Sequence, residues 1–263
     1  MKKYWFILLI LLGQVAHASV DKVDYLRITK ALDSIYAERI QEEGGELKFI
    51  LSEKPAAPNA YAAKKAENSW EITVVSSFLS LDHQTVPTLG MILCHEVGHF
   101  LGGKPYVVGK QMTPAVRAWA PKKMSAEGQA DYFATSECIK KLAVKIPDLF
   151  IKNKGLLNLP SAQECHRSYT NMDDIKLCNE ILTASHQTIL VYQQILEQLN
   201  IPSSFFAKTE NAASDRTLDL VGEYPELDCR YETFIKGTLC SSLNVNECDD
   251  LKWSRPACWF HLD

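Results

Sequence analysis

Apolar positions recur at helical spacing through most of the chain, with two short alternating stretches near its beginning. Residues 24–41 carry Leu26, Leu32, Ile35 and Tyr36 in a 3.6-residue rhythm and run into Gly44-Gly45, which predicts an amphipathic first helix closed by a glycine cap. Residues 47–51 and 70–78 alternate as strands, and Pro55 and Pro58 mark the loop between them. A nearly continuous apolar run over 85–101 predicts a buried helix, stopped by Gly102-Gly103 and Pro105. A second helix is expected over 125–144, with Ser125 as its N-cap; Gly128 three residues on rules out a capping box. A long helix follows over 172–199, with Ile181, Leu182, Ile189, Leu196 and Leu199 on one side, and a last one carries Cys229 and Cys240. Residues 104–123 and 202–222 read as a cleft-rimming loop and a polar connector. The expected architecture is mainly α with a small antiparallel β-sheet, an α+β class, in one compact unit spanning 19–240.

The first 18 residues change the picture of where this unit works. Lys2 and Lys3, the apolar run 4–12 and Ala16-His17-Ala18 form a signal-peptide pattern with a small-x-small cleavage site. That run is too short to span a bilayer, no later stretch has the ~18 apolar residues required, and no Cys at the cleavage point offers a lipid anchor. An exported chain is expected, in the periplasm or outside the cell. Losing the two lysines takes the formal charge from −4 to −6, an acidic balance that argues against nucleic acid as a partner. Eight cysteines without a CxxC favour disulfides in such a compartment. Cys229 and Cys240 lie about 16 Å apart on a continuous helix and are excluded from pairing with each other. The tail 241–263, with Cys248 and Cys258, is expected to fold back and be stapled to that helix. Cys94 and Cys138 are either a bridge clamping the two central helices or two buried thiols.

The chemistry concentrates in His95-Glu96-Val97-Gly98-His99. On a helix, residues i and i+4 share a face, so both imidazoles can reach one tetrahedral cation while Glu96 addresses its open side. A zinc ion needs a third protein ligand. The extended pattern that supplies a His six residues after the second is excluded, because Pro105 stands there. The remaining solution takes a Glu from a following helix with an Asp one turn further on, and Glu127-Gly128-Gln129-Ala130-Asp131 provides that pair. His83, His166, His186 and His261 are read as structural.

With these two motifs the chain resembles the CAAX-prenyl-protease-like gluzincins (peptidase family M forty-eight), whose soluble bacterial members work in the cell envelope. Asn59-Ala60-Tyr61-Ala62 followed by residues 70–76 is similar to the family's Asn-Ala segment and active-site edge strand. Tyr224-Pro225 with Arg230 is similar to its His-Pro-x-x-x-x-Arg element, with Tyr in place of His. The resemblance implies one Zn²⁺ per chain held by His95, His99 and Glu127, with Glu96 as general base and Asp131 fixing the tautomer of His95. Tyr224 and Arg230 are candidates to stabilise an oxyanion, and Arg230 could instead pair with a carboxylate. It further implies that the strand around Val74 offers its free edge to an extended polypeptide substrate, read through its backbone with weak sequence preference. Two functions follow: a zinc endopeptidase of the bacterial envelope, or a metal-binding chaperone or assembly factor on the same scaffold with latent proteolysis. Glu96 favours the first, since a binding role has no use for that carboxylate.

Overall fold

In the computed structural model the described residues are 20–66, 69–106, 124–151, 161–201, 225–240, 255, 256 and 258. The expected leader 1–18, the loop at 107–123, the connector 202–222, Tyr224 and most of the tail lie outside them.

The described residues form seven helices and one three-stranded sheet: α1 (Lys22–Glu42), β1 (Glu46–Ser52), β2 (Ala60–Ala66), β3 (Ser69–Val75), α2 (Val86–Leu101), α3 (Glu127–Phe133), α4 (Ile139–Lys145), α5 (Ala162–Ser168), α6 (Met172–Gln198) and α7 (Leu227–Leu239). The α+β class holds, but the sheet is mixed rather than antiparallel. Its order is β1-β3-β2, with β1 parallel and β2 antiparallel to β3. The burial pattern agrees with that strand order. Trp70, Ile72, Thr73, Val74 and Val75 of β3 are buried, whereas β1 alternates exposed and half-buried positions. The strand with most apolar side chains to cover takes the centre. Val74 therefore lies on the central strand and offers no free edge, contrary to expectation. The edge beside the site belongs to β2, which among the described residues pairs with β3 alone. The alternation read over 70–78 also ends early, at Val75, where a 3₁₀ turn over Ser76–Ser80 begins.

Helix α2 is apolar on nearly every face and is accordingly buried from Val86 through His99. Thr85 and Thr88 close a capping box at its start. Trp70 of β3 stacks on Phe100 at its far end, with ring centroids 5.0 Å apart. The first helix closes as expected: Gly44 adopts φ 72°, and the Gly45 N–H reaches the Ile40 carbonyl. Its buried face, however, is Tyr25, Ile28, Leu32, Tyr36 and Ile40, and Leu26 is exposed.

The second central segment bends where a uniform helix was expected. Between α3 and α4, residues Ala134–Cys138 form a π-helical turn. Ser125 is not the side-chain cap of α3; Ala126 holds that position, and the Ser125 hydroxyl donates to the Gly103 carbonyl. Helix α3 crosses α2 at Gly98, where a Cβ would lie 2.9 Å from both the Cα and the carbonyl oxygen of Ala130. A hydrogen at Gly98 is what lets the two helices approach to backbone contact.

Disulfides complete the frame. Cys94–Cys138 ties α2 to the π turn, Cys165–Cys178 ties α5 to α6, and Cys229–Cys258 staples the tail to α7. Cys240 is also disulfide-bonded, so Cys229 and Cys240 do not pair with each other. Arg255 of the tail donates to the Lys104 carbonyl and to Gln129 of α3. No helix among the described residues is long and apolar enough to cross a membrane.

Candidate metal centre

Beyond the capping Thr88, three polar side chains, His95, Glu96 and His99, stand buried on the largely apolar helix α2. Burial without partners is costly, so what they face is informative. Their ligand atoms lie within 4.8 Å of one another, and this group could hold a metal ion. The rings of His95 and His99 meet edge to face, 4.7 Å between centroids.

Each ring has one nitrogen engaged behind it. His95 Nδ1 donates to Asp131 Oδ1 at 2.7 Å, and His99 Nδ1 lies 2.9 Å from the Ser125 carbonyl oxygen, which can only accept. With Nδ1 protonated, Nε2 of each ring carries a free lone pair in the neutral imidazole. Both Nε2 atoms face one carboxyl group: Glu127 Oε2 is 3.3 Å from His95 Nε2, and Oε1 is 3.6 Å from His99 Nε2. Ligands at zinc bond lengths of 2.0 to 2.2 Å around a tetrahedral ion are separated by about 3.4 Å. The two separations between Glu127 and the imidazoles, 3.3 and 3.6 Å, lie close to that value.

Electrostatics separate the two glutamates. Burial alone would raise Glu127, but His99, the hydrogen bond from His95 and Arg230 overcome it and hold the carboxyl well below its ordinary range. Glu96 is pushed the other way, upward, chiefly by burial and against the attraction of the two histidines. Burial likewise opposes the charged form of His95, yet Asp131 and Glu127 outweigh it and raise the metal-free imidazole to about 10.

Asp131 is fully buried and serves two partners. Besides His95, it accepts from Arg230 Nε at Oδ2 and from Arg230 Nη2 at Oδ1, both at 2.7 Å. Of the two roles open to Arg230 from sequence, pairing with a carboxylate is the one observed. The same guanidinium lies over the ring of Tyr192 on α6, 4.2 Å from its centroid, and donates to the Tyr192 hydroxyl at 3.3 Å. Sequence reasoning missed Tyr192 and the Ser125 carbonyl. Helical spacing places Tyr192 three residues after Ile189 and four before Leu196, as one more core position, and a backbone carbonyl carries no residue signature.

These groups line a cavity of about 310 Å³: His95, Glu96, His99, Glu127, Tyr192 and Arg230 all contribute to its surface. Asn59, Ala60, Tyr61 and Ala62, from the segment singled out in the sequence and the start of β2, line it as well. Tyr224 falls outside the described residues. No protein-family model, curated protein or solved structure matches the chain.

Proposed function

We propose that the chain is a zinc-dependent endopeptidase that works after export, most plainly in a bacterial periplasm. One observation carries the reading: two imidazole Nε2 atoms and both oxygens of Glu127 converge at 3.3 and 3.6 Å, with each imidazole oriented from behind. His95, His99 and Glu127 would hold the ion. Glu127 is chosen over Glu96 because its carboxyl is the more strongly ionised and bridges the two Nε2 atoms, while Glu96 has the raised affinity for a proton that a general base needs. Bound there, zinc supplies Lewis acidity that lowers the pKa of water toward neutrality and polarises a carbonyl.

The chain's own residues supply the rest. Hydrolysis breaks the peptide C–N bond, forms a C–O bond to the water oxygen and moves one water proton to the leaving nitrogen. Glu96 takes that proton and then delivers it. Asp131 keeps the His95 proton on Nδ1, and Arg230 holds Asp131 in place by two hydrogen bonds. The Tyr192 hydroxyl accepts from Arg230, so its own O–H is free to donate to a carbonyl oxygen acquiring negative charge. An extended polypeptide is read as an added strand on the outer edge of β2, whose first residues line the cavity. The disulfides fit an oxidising compartment.

The test compares wild type with Glu96→Gln on unfolded casein at equal zinc content. Loss of activity by a factor of roughly 10² to 10⁴ is expected. Equal activity in the two proteins overturns the peptidase reading.

A further inference from the structure

The cavity that holds the ligand cluster is also lined by aliphatic and aromatic side chains. Ile195 and Leu196 of α6, Leu199 and Ile201 just beyond its end, Leu227 of α7 and Phe78 are among them. Ile195, Leu196 and Leu199 follow Tyr192 at spacings of three, four and seven residues, so one helix face carries them together with the hydroxyl beside Arg230. Leu199 is 43% exposed, and Ile195, Leu196 and Ile201 are half-buried. The charged and polar residues Glu197 and Gln198 are turned to solvent instead.

The helix ending extends this apolar lining. Asn200 takes φ 51°, its N–H reaches the Glu197 carbonyl, and the Ile201 N–H reaches the Leu196 carbonyl. This is a Schellman ending, in which the residue beyond the turn folds back onto the helix face. Here it brings Ile201 to Leu196, extending the apolar surface by one side chain where the chain would otherwise leave the helix.

A cavity lined by both ionised groups and aliphatic side chains suits a polypeptide that presents a large apolar side chain beside its polar backbone. We infer that the proposed peptidase selects substrates by a large apolar side chain at a residue flanking the scissile bond, seated against Ile195, Leu196, Leu199 and Ile201. The inference rests on the peptidase reading and narrows its substrate class to unfolded or extended polypeptides displaying Leu, Ile, Met or Phe. It replaces the weak sequence preference expected from backbone recognition alone. A charged side chain in the same place would lose its hydration and find no partner among these side chains, whereas burial of a full aliphatic side chain favours cleavage roughly ten- to a hundredfold over Gly or Ala.

The test uses the full chain after export, loaded with zinc, and a degenerate peptide library whose cut sites are read by mass spectrometry. Wild type is expected to cut next to large apolar residues with that preference in kcat/KM. Leu199→Glu, at a position 43% exposed, should lower the preference for Leu and Phe at least tenfold. A second readout is independent of turnover: zinc-loaded Glu96→Gln protein should bind a Leu-containing peptide at least tenfold more tightly than its Gly counterpart, and Leu199→Glu added to it should abolish the difference. Glu96-dependent cleavage with a flat residue preference, or equal binding of the two peptides, overturns this inference and leaves the peptidase reading standing. Absence of any Glu96-dependent cleavage overturns both.

Discussion

Replacing Asp131 by Asn removes one charge and almost no volume, yet it should damage both the stability and the metal affinity of this site. The carboxylate is fully buried, with Oδ1 shared between His95 Nδ1 and Arg230 Nη2 and Oδ2 bound to Arg230 Nε, every contact at 2.7 Å. An Asn that keeps its oxygen toward His95 must point its NH₂ at Arg230 Nε, donor against donor, and leaves a buried guanidinium with only the more distant Glu127 carboxylate, 3.9 Å away, as counterion. Breaking such a pair from one side costs about 3 to 5 kcal/mol. For a chain of this size that lowers the melting temperature by about 10 °C. Loss of the group that fixes the His95 tautomer should weaken zinc binding a further 10- to 100-fold. Melting of the chelated protein reads the first effect, and competition against a chromogenic zinc chelator reads the second. Adding Arg230→Met to Asp131→Asn should return part of the stability, because no unpaired cation is left, without returning zinc affinity. A single variant that melts within 2 °C of wild type and holds zinc equally well would refute the reasoning.

Four further outcomes follow. Tyr192→Phe keeps the ring over Arg230 but removes the hydroxyl, so kcat on a peptide substrate should fall by roughly 10² to 10³ with KM and zinc content unchanged; an unaltered kcat means that the phenol only packs. In the metal-free protein His95 is raised from 6.5 to about 10, so its contribution to stability is complete below pH 6.5 and is lost as pH rises toward 10. Zinc must displace that proton, so apparent zinc affinity should rise about tenfold per pH unit between pH 6.5 and 8 in a competition titration, and a flat profile contradicts the assignment. Gly98→Ala should force α2 and α3 apart at Ala130 and reduce both zinc content and melting temperature, as metal analysis and calorimetry would record. Replacing Cys94 and Cys138 together by Ala opens a 44-residue loop, and urea unfolding should register a loss approaching 4 kcal/mol.

Local chemistry was legible in the sequence, and long-range pairing was not. HEVGH and EGQAD each announce a helix face by their own spacing, and the fold brings His95, His99, Glu127 and Asp131 into contacts of 2.7 to 3.6 Å that no spacing within either motif dictates. The bridge at Cys94–Cys138 was one of two open outcomes, because sequence says that both residues are near the site but not that their Cβ atoms meet. The sheet was misjudged for a related reason. Alternation identifies a strand but not its neighbours, so Val74 was assigned an edge that belongs to β2. Leu26 has the period of a core residue and sits in solvent, since period alone leaves the centre of the buried stripe free by a residue. Tyr192 was invisible because its partner Arg230 is 38 residues away and on another helix.

The claim on which the rest depends is that helices α2 and α3 close one metal cage through His95, His99 and Glu127. Anomalous diffraction at the zinc edge, from crystals of the exported chain grown with one equivalent of zinc, tests it most directly. The account predicts a single peak within about 2.0 to 2.2 Å of both Nε2 atoms and a Glu127 oxygen, with Glu96 not coordinated. A peak bound by Glu96 in place of Glu127, or zinc found only away from these histidines, would contradict it.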